Sequence, residues 1–142
     1  MTRPLLAAVF ALTALALPVH AQEPAAAPSL ALELNALKAA ETGCRVTFLA
    51  TNDLGGVLDR AAVELALFDA GGTIVRIVTL DFKNLSQGKT KVLQFELADL
   101  ACDGIGRLLV NDITACEGTG LLPTACLDGL VTTAKPTIEF GA

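Results

Sequence analysis

The stretch V-E-L-A-L-F-D-A-G-G-T-I-V, Val63–Val75, indicates how this chain folds. Its first half has a two-residue period, which predicts a β-strand that turns Val63, Leu65 and Leu67 toward a core. The D-A-G-G segment that follows contains two glycines that can adopt positive φ angles. Because a β-branched run resumes over Thr73–Leu80, the stretch predicts a β-hairpin.

Short alternating runs on both sides of the hairpin, separated by Gly, Asn and Asp turns, predict further strands. They are Leu30–Asn35, Cys44–Thr51, Thr90–Leu97 and Ile105–Ile113. This spacing predicts an all-β fold, an immunoglobulin-like antiparallel β-sandwich of about seven strands. Two assignments stay open. Residues Ala31–Glu41 are rich in helix formers and compete as a helix, and Thr137–Phe140 is either a closing strand beside the sixth or a loose end.

The first 21 of the 142 residues have the pattern of a signal peptide. Arg3 supplies a positive charge, Leu5–Leu17 an apolar run, and Val19–Ala21 a cleavage site with small residues. The apolar run is shorter than a membrane span needs, and polar sequence follows it. We therefore expect cleavage near Ala21, a disordered segment over residues 22–29, and one sandwich domain over residues 30–142. The mature protein should be periplasmic or secreted and should not span a membrane.

The composition lacks the residue types on which most catalytic sites depend. The single histidine, His20, lies in the predicted signal peptide, Trp and Tyr are absent, and the serines are Ser29 and Ser86. Without histidine the mature chain cannot use Ser-His-Asp or Cys-His chemistry. The chain has ten basic and 15 acidic residues. The basic residues form no cluster in the sequence, which argues against nucleic acid as a partner. We predict a protein that is not an enzyme and has no cofactor.

The four cysteines are Cys44, Cys102, Cys116 and Cys126. In an exported protein this even number predicts two disulfides. Three connectivities are possible, and a four-thiolate metal centre is the alternative. We favour Cys44–Cys102, because strands two and six of such a sandwich begin at the same end in opposite sheets. We also favour Cys116–Cys126, which closes a short loop containing Gly and Pro. The sandwich is then stapled by two disulfides.

Part of the chain resembles the FxLYD-type immunoglobulin-like modules of exported bacterial proteins. The resemblance rests on a set of residues spread over residues 45–95, about half of the mature chain: Asn52, the run Val63–Asp69, Gly72, Gly88 and Phe95. Phe68 stands where these modules usually have Tyr before the acid, and the four cysteines are an addition. The resemblance implies the sandwich fold and an exported or surface-associated module. It assigns no activity.

The loop between Cys116 and Cys126 is the leading candidate for a partner contact. Leu121, Leu122 and Pro123 would form an apolar tip there, unless the leucines fold under the loop and cover the core. An exposed strand edge that accepts a strand from another protein is a further possibility, and residues 136–140 could donate one. We therefore predict a non-enzymatic periplasmic module that binds a protein of the cell envelope as an accessory or scaffold subunit.

The alternative function is a small-ligand or calcium-binding module that uses the acidic turn residues. The nearest pattern to a calcium loop is Asp99-x-x-x-Asp103 beside Gly104. It lacks the alternating Asp and Asn ligands of a calcium-binding loop. We therefore expect these carboxylates to be solvated turn residues and predict no metal site.

Overall fold

The computed structural model describes residues 21–142, so the predicted signal peptide lies outside the described residues except for Ala21. Residues 21–28 are exposed and have no regular secondary structure. The described part of the chain contains eight β-strands, a 3₁₀ turn at Cys102–Gly104 and a short helix, α1, at Ala125–Asp128. The strands are β1 (Ser29–Ala39), β2 (Gly43–Asp53), β3 (Leu58–Phe68), β4 (Ile74–Leu85), β5 (Thr90–Ala98), β6 (Arg107–Glu117), β7 (Leu130–Ala134) and β8 (Glu139–Gly141).

The strands form two four-stranded sheets that pack face to face around one core. Sheet A has the order β5-β2-β1-β7, and sheet B has the order β4-β3-β6-β8. The fold is therefore the all-β sandwich predicted from the sequence, with eight strands where about seven were expected. Neighbouring strands run antiparallel except at two pairings, because β7 is parallel to β1 and β8 is parallel to β6.

The predicted hairpin is confirmed as β3 and β4. The N–H of Asp69 donates to the carbonyl of Thr73 at 2.9 Å, and the N–H of Gly72 donates to the carbonyl of Asp69 at 3.1 Å. Gly72 has a φ of 82°, the left-handed conformation that this three-residue turn requires at its last position. The carboxylate of Asp69 also accepts the N–H groups of Gly71 and Thr73, both at 2.9 Å.

The first segment of the domain is a strand and not a helix. β1 pairs with β2 from Ser29 to Ala39, with one bulge at Asn35, so the strand begins one residue before the expected domain start and is longer than predicted. Leu30, Leu32 and Leu34 point into the core. The alternation of these leucines therefore outweighs the helix propensity of residues 31–41, as tertiary pairing commonly does.

The end of the chain completes both sheets. β7 was not predicted, and it adds to the outside of β1. Of the two alternatives for residues 137–140, the closing strand is the one present. It is β8, which places Phe140 beside Leu108 of β6. Phe140 is buried and lies 5.5 Å from the ring of Phe48, the centre of an aromatic cluster that also contains Phe82 and Phe95. β8 therefore contributes to the core through Phe140.

Two disulfides fasten opposite ends of the sandwich. Cys44 of β2 joins Cys102 in the 3₁₀ turn before β6, with their Cα atoms 4.9 Å apart. Cys116 of β6 joins Cys126 of α1, with a Cα–Cα distance of 5.9 Å. These are the two pairings predicted from the sequence. The first bridge joins β2 of sheet A to the turn that leads into β6 of sheet B, and the second holds the short helix against the end of sheet B.

Asn52 is the buried polar residue that joins the ends of the two sheets. Its side chain is fully buried, and its Nδ2 donates to the carbonyls of Leu85 at 2.9 Å and Gly56 at 2.8 Å. Its Oδ1 accepts the N–H of Leu54 at 3.1 Å. The side chain therefore connects the end of β2 to the end of β4 and fixes the turn that leads to β3. Such burial is tolerated because every strong donor and acceptor is paired.

Candidate protein-binding surfaces

The loop after β6 is shaped by close packing and by its disulfide. Gly118 follows the last residue of β6, and a Cβ atom there would lie 2.4 Å from the carbonyl oxygen of Val57. Only glycine fits this approach, which brings the loop against the turn before β3. The N–H of Leu121 donates to the carbonyl of Gly118 at 3.2 Å, and α1 follows directly with Cys126 buried. The loop is therefore anchored at both ends.

The three predicted contact residues do not share one environment. Leu121 is partly buried and packs against the core, whereas Leu122 is 71% exposed and Pro123 is also exposed. Leu127 of α1 is a further exposed apolar residue, at 53%. We call Leu122, Pro123 and Leu127 the apolar tip. One leucine of the pair thus covers the core, as one interpretation of the sequence expected, and the other faces solvent.

A depression of about 430 Å³ lies beside the apolar tip. It runs between the loop, the turn after β2 and the segment that enters β1. Asp128 is the one charged residue in its lining, which is otherwise made of alanine, proline, leucine and glycine: Ala27, Pro28, Leu54, Gly120, Leu121, Leu122, Ala125 and Gly129. The depression therefore suits an apolar side chain, with a carboxylate at its border.

The outer faces of the two sheets differ in chemistry. The outer face of sheet A carries polar pairs between β2 and β5. Arg45 forms an ion pair with Glu96, Gln94 donates to Thr47 at 3.2 Å, and the hydroxyls of Thr51 and Thr90 are 2.7 Å apart. One apolar pair, Leu49 and Val92, lies among them. This face is therefore mostly polar.

The outer face of sheet B has an apolar centre. Ile77 of β4 lies opposite Ala66 of β3, which lies opposite Leu109 of β6, which lies opposite Gly141 of β8. We call these four residues the apolar row. Beside it, the Arg107 guanidinium lies 5.4 Å from the centre of the Phe68 ring. Sequence reasoning missed this face, although the run of β-branched residues in Thr73–Leu80 was a signal for it.

The acidic turn residues do not converge on a metal site. Asp99 and Asp103 both line a depression of about 590 Å³ at the end of the sandwich that holds the Cys44–Cys102 bridge. Within residues 21–142, however, no group of three or more His, Cys, Asp or Glu side chains is close enough to hold a metal ion. Calcium requires six to eight oxygen ligands, and two carboxylates supply few of them.

Asp81 on β4 has a shifted pKa for a structural reason. The backbone N–H of Lys83 donates to one carboxylate oxygen at 2.9 Å, and its ammonium lies 3.1 Å from the other. Both contacts favour the ionised form and hold the pKa of Asp81 below its ordinary value of 3.8. Arg60 adds a further contact at 3.3 Å. The cluster is a surface ion-pair group on a strand.

Comparisons with protein-family models, with curated proteins and with solved structures find no match to this chain. Within residues 21–142, no helix is long and apolar enough to cross a membrane.

Proposed function

We propose that this protein is a non-enzymatic, exported module that binds a protein of the cell envelope and acts as an accessory or scaffold subunit. The observation that carries the proposal is the apolar tip. Leu122 faces solvent on the loop closed by the Cys116–Cys126 disulfide, and Leu127 faces solvent on α1, directly after that loop. Two disulfides suit an oxidising compartment such as the periplasm. The resemblance to FxLYD-type modules supports the same location.

The rigidity of the tip favours binding. A loop that is already ordered loses less conformational freedom on association than a flexible one does. Gly118 packs against Val57, Leu121 packs on the core, and Cys126 is buried in its disulfide, so the backbone around Leu122 is held from three sides. An ordered backbone that presents exposed apolar side chains supports the proposal, because burying those side chains against a partner is favourable.

The depression beside the tip indicates the chemistry of the partner. An apolar side chain of the partner would enter between Leu54 and Leu121. Asp128 would then face the partner residue next to that apolar side chain. A Lys or Arg adjacent to the apolar residue would complement that carboxylate at the rim, where charge mainly affects orientation and association rate. The expected partner segment therefore has an apolar anchor beside a basic residue.

Site-specific photo-crosslinking in intact cells tests the proposal. A photoreactive residue at Leu122 should give one discrete adduct with an envelope protein. The same residue at Val92, which is 62% exposed on the outer face of sheet A, is the matched control and should give none. The variant Leu122→Asp should abolish copurification of that protein while its stability stays within about 0.5 kcal/mol of wild type, because the site is exposed. Equal labelling from both positions, or none from Leu122, would contradict the proposal.

A further inference from the structure

The two disulfides differ in the surroundings of their more exposed cysteine. In each bridge one cysteine is fully buried, Cys44 or Cys126, and the other, Cys102 or Cys116, is partly exposed. Cys102 also lines the depression of about 590 Å³ at its end of the sandwich. The lining of the depression beside the apolar tip includes neither Cys116 nor Cys126. Cys102 therefore lies at an open depression from which a small molecule can approach the bridge.

The depression is built from ordered backbone on two sides. On one side, the N–H of Asp99 donates to the carbonyl of Thr42 at 2.7 Å, which joins the residue after β5 to the turn between β1 and β2. On the other side, the N–H of Gly104 donates to the carbonyl of Ala101 at 3.0 Å and closes the 3₁₀ turn that contains Cys102. The approach to Cys102 is therefore a feature of the folded protein, and it does not require local unfolding.

The charge of the depression is negative. Asp99 and Asp103 line it, both are exposed, and Asp103 directly follows Cys102 in the chain. The other lining residues are uncharged alanine, threonine, glycine, leucine and cysteine. Arg76 is a nearby cation, since it donates to the carbonyl of Ala98, but it is not part of the lining. Within residues 21–142 this lining has two carboxylates and no lysine or arginine, so it attracts cations and repels anions.

We propose that Cys102 is a thiol-exchange site and that the depression selects cationic or uncharged thiols over anionic ones. The thiolate of an external thiol attacks Sγ of Cys102, the bridge breaks, and Cys44 leaves as a thiolate that takes a proton from water. A second thiol then attacks the external sulfur of this mixed disulfide and releases the Cys102 thiolate, which is also protonated. The bridge thus gains two electrons and two protons, and two external thiols become one disulfide.

Access decides which sulfur of the bridge is attacked. Exchange rates depend on the sulfur that the thiolate can reach, and Cys44 is fully buried in the hydrophobic core. Direct attack on Cys44 would require the core to open, whereas attack on Cys102 would not. Burial makes the Cys44 thiolate a slow leaving group, but it also keeps the released thiol beside Cys102, where it can close the bridge again. Cys102 therefore exchanges with external thiols, and Cys44 re-forms the bridge.

Limited reduction of the folded, oxidised protein tests this inference. The probes are cysteamine, a cationic thiol, and mercaptoacetate, an anionic one, with rates compared per thiolate. After an acid quench, peptide mapping should locate the mixed disulfide at Cys102 and the free thiol at Cys44. We expect each rate to be proportional to thiol concentration. The ratio of the cationic to the anionic rate should be at least about fivefold larger at low ionic strength than in about 1 M salt, where the carboxylates are screened.

Two variants test the role of the carboxylates. The double variant Asp99→Asn/Asp103→Asn removes both charges, and asparagine tolerates the φ of 58° at residue 99. At low ionic strength it should lower the rate ratio about fivefold, to the value that wild type has in high salt. The control Asp112→Asn removes one exposed carboxylate from the middle of β6 and should keep the wild-type ratio. Urea unfolding followed by circular dichroism checks that both variants are folded.

The outcomes that overturn the inference are distinct. A mixed disulfide at Cys44, or none at Cys102 in the folded protein, overturns it. A reduction rate that does not depend on thiol concentration also overturns it, because the bridge would then open only after local unfolding. A rate ratio that stays at the wild-type value in the double variant overturns the selection by charge. The inference uses the Cys44–Cys102 end of the sandwich and not the apolar tip, so it stands or fails separately from the proposed function.

Discussion

Replacing Asn52 tests whether one buried amide joins the two sheets. The variant Asn52→Ala removes two donated hydrogen bonds, to Leu85 and Gly56, and one accepted from Leu54, at distances of 2.8 to 3.1 Å. A typical intramolecular hydrogen bond contributes about 1 kcal/mol net, and a buried group left unpaired costs more. We therefore expect a loss of about 3 kcal/mol in the free energy of unfolding, which lowers the melting temperature of a domain of this size by about 10 °C.

The measurement is urea unfolding followed by far-ultraviolet circular dichroism, because the chain has no Trp or Tyr for fluorescence. The variant Asn52→Asp sharpens the test. Its carboxylate would face the carbonyl oxygens of Leu85 and Gly56, so burial and lost donors raise its folded-state pKa above the unfolded value. A protonated carboxyl regains one donor. The loss of unfolding free energy relative to wild type should therefore be smallest below about pH 4. It should grow as pH rises through the pKa of the introduced carboxyl in the folded state.

Asn84→Asp is the matched control, since Asn84 is exposed near the end of β4. Its unfolding free energy should follow that of wild type across the same pH range. If Asn52→Ala unfolds within about 0.5 kcal/mol of wild type, or if the Asn52→Asp deficit does not change with pH, the idea that this amide joins the sheets is refuted.

Two further stability predictions come from the disulfides and from the ion pairs on β4. Replacing both cysteines of the Cys44–Cys102 bridge should lower the free energy of unfolding by about 4 kcal/mol. Replacing those of the Cys116–Cys126 bridge should lower it by about 2.7 kcal/mol, because that bridge closes a much shorter loop. Equal losses in urea unfolding would contradict this reasoning. The lowered pKa of Asp81 means that its contribution is present above its ordinary pKa and is lost as pH falls through the lowered value. Asp81→Asn should therefore flatten the dependence of melting temperature on pH below about 4, and an unchanged slope would contradict this reasoning.

Much of the fold could be predicted because local pattern and tertiary structure agree in the hairpin. The alternation around Leu65 and the D-A-G-G turn carry enough information to define β3 and β4 without any knowledge of their neighbours. The Cys44–Cys102 pairing followed from the order of strands in a sandwich, and the Cys116–Cys126 pairing from the short loop that it closes. β7 was missed because its five residues are recognisable as a strand only through their pairing with β1.

The candidate site was less predictable for a physical reason. Leu121 and Leu122 are adjacent in an irregular loop, where no period assigns side chains to an inner or an outer face. Packing against the rest of the domain decides which one is buried. The exposure of Ile77 likewise depends on β4 being an edge strand, and sheet order is a property of the whole chain. Local sequence identifies a strand but not its place in the sheet.

The parallel strands at the end of the chain affect when the protein can fold. β1 is the first strand to be synthesised, and its outer neighbour β7 is among the last. β6 likewise waits for β8, which brings Phe140 into the aromatic cluster. Neither sheet is complete until β7 and β8 have been synthesised, so the finished sandwich cannot form before these last two strands are available. The two sheets therefore close late, and the order of strands along the chain sets the order in which the sandwich can be assembled.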